Sequence, residues 1–431
     1  MTTTATTGHL PWDQSRLRLA ESAVVGGLSG TPYFKDAVWP RFSREEYARR
    51  YAALRARMAE RDLDCALVSG GPTHWSFGGG LLWLSGHLEW HSLSGWLVVP
   101  REGEPTLIFS AGHSHIESVR RETAGIVEDV RGHTWGRFGE AIAGRIRELG
   151  LERGRIGLLE VEPRLGTHMP VNDYEALRAA LPEAELVLTS GIMHQLIVVH
   201  SAEEQAAVRR AGELCDRAMA AVVARARPGV TEYQLAASAA FEILDGGGMI
   251  DFIVLGSTSL TDGAMLYGNP RPSGRVLETG DLITLEISAG YNGYVAQTGT
   301  PICVGEPPSW AREFWEGVVK PGFHRLEAQV RAGRTMRDVQ EAGAFYAERG
   351  GQTNFFFKLL DRVTAQPAVY SDRIAGPEKE YTLVPGMVGV VTPNTAIPEG
   401  RISMSTIRTY IVTEGEPERA GSHPVELVVV P

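Results

Sequence analysis

The sequence predicts an α/β domain followed by an α+β domain, and three observations carry that expectation. Between about residues 40 and 195, segments with helical apolar spacing alternate with short β-rich runs. From His200 onward two long amphipathic segments each open on a helix-capping signature. After them the apolar runs become strand-like and are joined by short turns, as in "DLITLEISAGYNGYVAQTGTPICV", residues 281–304.

Taken in order, residues 1–39 are an N-terminal arm, since "MTTTATTGHLPWDQ" has neither the basic nor the apolar region of a secretory leader. The first domain spans 40–195. It opens with "SREEYARRYAALRARMAERD", where Ser43 is the N-cap and Glu46 stands three residues on. "DCALVSG" is a strand, and "SGWLVVP" and "PTLIFSA" are two more joined by "REGEP". "FGEAIAGRIRELG" is a helix closed by glycine, "RIGLLEV" a strand, "VNDYEALRAALPEA" a helix and "ELVLTS" a strand. The second domain, 196–431, starts with the pair Ser201 and Glu204. Its apolar face runs through Val208, Ala211, Cys215, Met219 and Val222, and Pro228-Gly229 stops the helix. Thr231 caps the next helix, which three glycines end. The strands "FIVLGS", "LITLEIS" and "GYVAQTGTPICV" follow, the hairpin being expected to turn at Gly-Tyr. Helices over about 311–332 and 336–349 precede "MVGVVTP" and "IRTYIVTE". The expected arrangement is helices on one face of a curved, mostly antiparallel sheet.

Composition narrows the function. With 42 basic and 52 acidic side chains among 431 residues the formal charge is −10, and there is no basic run to meet nucleic acid or an anionic membrane. No apolar window reaches membrane-spanning length. Cys65, Cys215 and Cys303 are widely separated, which predicts reduced, buried thiols in a cytoplasmic protein.

The motifs "HSAEEQAAVRRAGELCDRAM", "ARPGVTEYQLA", "GRVLETGDLITLEISAGYNGY" and "LVPGMVGVVTP", in that order, resemble the pita-bread fold of creatinase, prolidase, aminopeptidase P and methionine aminopeptidase. "SREEYARRYAALRARMAERDLDCALV" resembles the smaller domain that creatinase and prolidase carry in front. The resemblance implies an α/β N-terminal domain followed by an α+β pita-bread (creatinase/aminopeptidase-like) catalytic domain, and a homodimer. In the peptidases of this family two Asp, one His and two Glu hold two divalent metals that activate a water. Those positions fall here on Glu286, Gln297, Lys358, Thr392 and about Ile407, next to Arg408. The assisting histidine falls on or near Asn269, in "MLYGNPRP" with Tyr267. After residue 200 the only histidines are His324 and His423. The resemblance therefore implies a member that uses no metal and no other cofactor, nearest in type to creatinase or ectoine hydrolase.

Glu286 is then the candidate general base or nucleophile, and Lys358 the cation that steadies an oxyanion or a substrate carboxylate. Tyr267, Asn269, Gln297, Thr392 and Arg408 are candidate substrate-binding residues. A purely structural ion pair of Glu286 with Lys358 or Arg408 is the competing reading. In "THWSFGGGLLWLSGHLEWHSLSGW", Trp75, Trp83, His87, Trp90 and His91 are candidates for a lid or substrate wall, because in two-domain members this domain covers the partner's site; packing within the domain is the alternative. The expected reaction is hydrolysis of a C–N bond in a small amidine, amide or amino-acid-like molecule. A lyase, cyclase or isomerase, or a silent binding protein, are the other readings of the same residues.

Overall fold

The structure is a computed structural model describing residues 40–70, 79–89, 93–111, 114–132, 134, 137–159, 169–189, 191–269, 271–360, 367–376 and 381–431. None of the helices in the described residues is long and apolar enough to cross a membrane. The chain divides into two compact units, with the change at Ser190 to Gly191.

In the first unit the Ser43 hydroxyl accepts from the Glu46 N–H at 3.1 Å and starts the helix Arg44–Glu60. Tyr47, Tyr51, Leu54 and Met58 recur at helical spacing and are all buried. Among the described residues, β1 (Cys65–Ser69), β2 (Gly95–Pro100), β3 (Thr106–Phe109), β4 (Asp129–Arg131), β5 (Arg155–Leu159) and β6 (Glu185–Thr189) form one sheet in the order β4-β3-β2-β1-β5-β6. The short turn between β2 and β3 gives an antiparallel pair, whereas helix Val171–Ala180 returns the chain so that β6 runs parallel to β5. Ile142, Ala143 and Ile146 of helix Phe138–Glu148 share a core with Leu67, Val98, Ile108, Ile156 and Leu158.

Two candidates from the tryptophan-rich stretch are spent inside this unit. Trp83, in helix Gly79–Ser85, is fully buried; the Arg50 guanidinium sits 5.0 Å over its ring and donates to its carbonyl at 2.6 Å. His87 is buried with Nδ1 2.5 Å from a Glu122 carboxylate oxygen. Of the two expected readings, a substrate wall or packing within the domain, these two side chains take the second, because each satisfies or covers a buried neighbour. Trp75, Trp90 and His91 lie outside the described residues.

The second unit opens on helix Ala202–Arg225, with the reciprocal Ser201 and Glu204 cap in place. Helix Glu232–Asp245 carries the same device at Thr231 and Gln234. The strands are β7 (Met249–Ser259), β8 (Asp281–Tyr291), β9 (Tyr294–Gly299), β10 (Ile302–Val304), β11 (Phe355–Leu359), β12 (Ala368–Tyr370) and β13 (Ile374–Ala375). They continue with β14 (Val388–Val391), β15 (Asn394–Ala396), β16 (Ser403–Ser405), β17 (Ile407–Ile411), β18 (Glu418–Arg419) and β19 (Val428–Val430). The main sheet runs β13-β12-β11-β14-β17-β9-β8-β10-β19, with β7 along β8 and β18 along β17; β15 and β16 form a separate hairpin.

Local chemistry refines the expected boundaries. The central hairpin turns at Asn292-Gly293, not at Gly-Tyr: both residues have positive φ, 48° and 77°, the requirement of a two-residue turn matching the strand twist. The returning strand is broken between β9 and β10 because Pro301 has no N–H for the ladder. The expected helix over 311–332 is three pieces, Ser309–Phe314, a π-helical turn Trp315–Val319, and Lys320–Glu327. Pro321 accounts for the widened turn, since its ring clashes with an α-helical carbonyl four residues back. Trp315, Val319, Phe323, Leu326, Val339 and Tyr346 from these helices and from Met336–Glu348 pack against Leu359, Val391 and Tyr410.

Candidate active site

Strand β8 is buried along nearly its whole length, and its alternation decides which side chains share a face. In antiparallel pairs directly opposed residues project to the same side. Ser288 is opposite Gln297, Val390 is opposite both Thr409 and Lys358, and Arg408 is opposite Thr298. Thr409 is thus the next neighbour of Gln297, and its hydroxyl accepts from the Gln297 N–H at 2.7 Å. One row therefore holds Ser288, Gln297, Thr409, Val390 and Lys358, and Glu286 shares their face two residues before Ser288.

On a flat sheet, four interstrand steps would separate β8 from β11 by about 19 Å. Lys358 Nζ nevertheless lies 4.0 Å from Glu286 Oε1, with both side chains buried, so the sheet curls around this face. The other Glu286 oxygen, Oε2, accepts the Tyr267 hydroxyl. Tyr267 is 41% exposed, but its hydroxyl end is shielded against Glu286; that desolvation and the carboxylate's charge raise the phenol above its ordinary range, so it stays a donor. The Tyr267 loop is itself anchored: Met265 N–H donates to Arg401 O at 2.9 Å, Ser403 N–H to Met265 O at 3.2 Å, and Asn394 Nδ2 and Ser403 Oγ both donate to Leu266 O.

A further carboxylate reaches this face. Asp251 is the extra residue of a β-bulge, lying between the pairs Ile250 with Ala289 and Phe252 with Ser288. The Ser288 hydroxyl donates to Asp251 Oδ2 at 2.7 Å. Burial pushes the Asp251 carboxyl up to about 7, with Glu286 adding to the rise, while the Ser288 hydrogen bond and Lys358 oppose it. Sequence reading missed Asp251 because strand "FIVLGS" was counted from Phe252; the available signal was an aspartate within the apolar run "MIDFIVLG".

Four buried polar atoms here have no hydrogen-bond partner: Glu286 Oε1, Asp251 Oδ1, and both Oε1 and Nε2 of Gln297. Leaving such atoms dry and unpaired costs about 1–3 kcal/mol each. The arrangement supplies acceptors, one amide donor and one ammonium to whatever fills it.

The remaining candidates fall elsewhere or play smaller parts. Arg408 is corrected: it projects to the opposite, helix-covered face, where its guanidinium donates to the carbonyls of Gly299, Ile407, His423 and Pro424. It can therefore neither pair with Glu286 nor meet a ligand beside it. Asn269 is exposed, with Nδ2 3.5 Å from Glu232 Oε2, a carboxylate other than Glu286. Glu232 holds the loop through Ser257 and Ser273. Thr392 is buried one residue past β14, its N–H donating to Phe356 O at 3.0 Å. Ile407, opposite Gly299, is apolar wall.

The donor set does not fit the two-metal centre implied by the resemblance. Of the five liganding positions only Glu286 is a carboxylate, an ammonium stands 4.0 Å from it, and no group of three His, Cys, Asp or Glu that could hold a metal occurs among the described residues.

Comparison with known proteins agrees with the architecture. Residues 50–196 match the Creatinase/Prolidase N-terminal domain and residues 206–414 match Metallopeptidase family M24. "Probable dipeptidase PepE" of Mycobacterium tuberculosis is 27% identical over 399 residues, covering 91% of this chain and 98% of that protein. "Creatinase" of Bacillus sp. (strain B-0618) is 25% identical over 411 residues, covering 90% and 93%. The solved dipeptidase PepE of Mycobacterium ulcerans superposes with a TM-score of 0.68 at 25% identity, covering 91% of this chain and all of that one. The Xaa-Pro dipeptidase of Bacillus anthracis gives 0.68 at 21% identity, covering 89% of this chain, a likeness of fold. With both domains matched in order, the chain belongs to the creatinase/prolidase family and has its N-terminal domain followed by the pita-bread M24 domain.

Proposed function

We propose that this chain is a metal-independent hydrolase of C–N bonds in a small amidine, amide or amino-acid-like substrate, with Glu286 as general base. The single observation that carries the reading is the state of the Glu286 carboxylate. It is 4% exposed, one oxygen is occupied by Tyr267, and the other accepts no hydrogen bond on the face that holds Lys358 and Gln297. A structural ion pair would place its ammonium in hydrogen-bond contact with that oxygen; 4.0 Å is a longer separation than such a bond. The curated relatives that cover most of the chain are named as dipeptidases and creatinase, which supports cleavage of a C–N bond.

Glu286 Oε1 takes a proton from water as the water oxygen adds to the substrate's electrophilic carbon. Lys358 offers positive charge to the anion that develops, and Gln297 offers one amide donor and one acceptor to orient the nitrogenous group. Single turnover in isotopically labelled water tests the assignment. With Glu286 as base, the first product molecule carries the solvent label. Unlabelled oxygen in that product would make Glu286 the nucleophile, and no oxygen incorporation at all would make the reaction a lyase or isomerase step.

A further inference from the structure

Hydrolysis of a C–N bond needs two proton transfers, one from water and one to the departing nitrogen, and Glu286 serves only the first. We propose that Asp251 is the general acid that protonates the leaving nitrogen; this rests on the hydrolytic reading of Glu286.

The geometry is built for that task. The β-bulge breaks the alternation of β7 at Asp251 and brings its carboxyl to Ser288, on the Glu286 face. A plain strand would not have offered an extra residue at this point. The Ser288 hydroxyl occupies Oδ2 at 2.7 Å, which leaves the proton of a neutral carboxyl on Oδ1, the atom without a partner. Gln297 stands opposite Ser288, 2% exposed, with both amide atoms unpartnered, an independent sign that a polar ligand belongs between these side chains. The titratable and charged groups acting on Asp251 are Glu286 and Lys358, with the Ser288 hydroxyl hydrogen-bonded to it. Burial holds the carboxyl near 7, so it keeps its proton close to neutral pH, where an isolated aspartate has lost it. Asn269, at the position of the assisting histidine, cannot titrate and is engaged by Glu232. Tyr267 already donates to Glu286.

The step balances. Glu286 gains a proton from water as the new C–O bond forms. The Asp251 Oδ1 proton passes to nitrogen as the C–N bond breaks, and the electron pair of that bond stays on nitrogen. Asp251 is left as a carboxylate and Glu286 as a carboxylic acid, and one proton passing from Glu286 to Asp251 restores the resting state. In this scheme Asp251 supplies the acid and Glu286 the base.

Two arms test the proposal. Infrared difference spectra of the intact protein from acid to alkaline pH follow the carbonyl stretch of a protonated buried carboxyl. The expected result is a band at neutral pH that Asp251→Asn removes, that Glu286→Gln retains, and whose loss moves to higher pH in Ser288→Ala, since the serine bond favours the charged form. No such band, or one lost in Glu286→Gln and kept in Asp251→Asn, would overturn it. In the second arm, creatine and a series of amides with progressively more acidic leaving nitrogens are assayed. Asp251→Asn should lose about 100-fold or more in kcat at little change in KM, with the loss shrinking as the leaving group improves. A loss independent of the leaving group would assign the acid role elsewhere, Lys358 first, and overturn the proposal. If no compound is turned over by the wild type, the hydrolase reading fails, while the infrared arm still decides where the proton sits.

Discussion

The two faces of the curved sheet in the second unit treat buried charge in opposite ways. On the helix-covered face Arg408 is 3% exposed, yet its guanidinium is spread over four backbone carbonyls. Nearby, Glu327 accepts from the Tyr410 hydroxyl and from Arg419 Nε, each at 2.8 Å, and lies 2.8 Å from His324 Nδ1. On the other face Glu286, Asp251 and Gln297 hold four buried polar atoms without partners. The lesson is that burial of a charge says little about its purpose; the completeness of its hydrogen bonding says more. Arg408 and Glu327, with their bonds satisfied, hold the fold, and the cluster of orphaned atoms around Glu286 leaves valences for a ligand.

If that contrast is right, substitutions on the two faces should separate activity from stability. Glu286→Gln should lower kcat by about 10²–10⁴-fold with the unfolding midpoint nearly unchanged, measured by turnover and by denaturant melts on the same preparation. Arg408→Met should do the reverse, costing about 2–4 kcal/mol of stability by stranding buried carbonyls while leaving turnover per folded molecule intact. A loss of activity without a loss of stability in that variant would break the comparison.

The faces should also differ in their response to pH. The Asp251 carboxyl is raised by burial to about 7, so its folded pKa lies above its unfolded one. Ionising it inside the fold is unfavourable: the penalty is absent below the unfolded pKa, near 4, and complete above the folded value. Asp251→Asn should therefore melt about 2–6 °C higher than wild type near pH 8, with the difference vanishing toward pH 4. Glu327 behaves oppositely. Burial acts to raise it, but the hydrogen bonds from His324, Tyr410 and Arg419 hold it down at about 2. Its stabilisation is present above the ordinary glutamate pKa and lost as pH falls toward 2. His423, pushed down to about 4 chiefly by burial and then by Arg408, adds to this acid sensitivity, because protonation favours the unfolded chain below about pH 6.5. Smallest of all, Tyr267→Phe should reduce kcat about 10-fold by removing the donor that orients Glu286, with stability changed by about 1 kcal/mol or less.

Much of this architecture was legible in the sequence because the signals are local. The caps at Ser43, Ser201 and Thr231 mark helix starts through hydrogen bonds only three residues long. The proximity of Lys358 to Glu286 was legible only through the resemblance, since 72 positions separate them (358 − 286) and a curled sheet brings them together. Arg408 was misjudged for a simple reason. A strand alternates faces, so one residue decides between a ligand pocket and a helix-packed core, and Ile407 and Arg408 are adjacent. Asp251 was missed for a related reason: a β-bulge has no fixed sequence signature, and counting by twos fails across it.

The most direct test of the central claim is hydrolysis by metal-stripped protein, its metal content verified by elemental analysis. Wild type and Glu286→Gln are assayed with creatine, Xaa-Pro dipeptides and a cyclic amidine, with and without added manganese, cobalt or zinc. The account predicts that the stripped wild type hydrolyses at least one of these, that added metal does not raise the rate, and that Glu286→Gln is inactive on it. Hydrolysis that appears only when metal is restored, or that survives in Glu286→Gln, would contradict it.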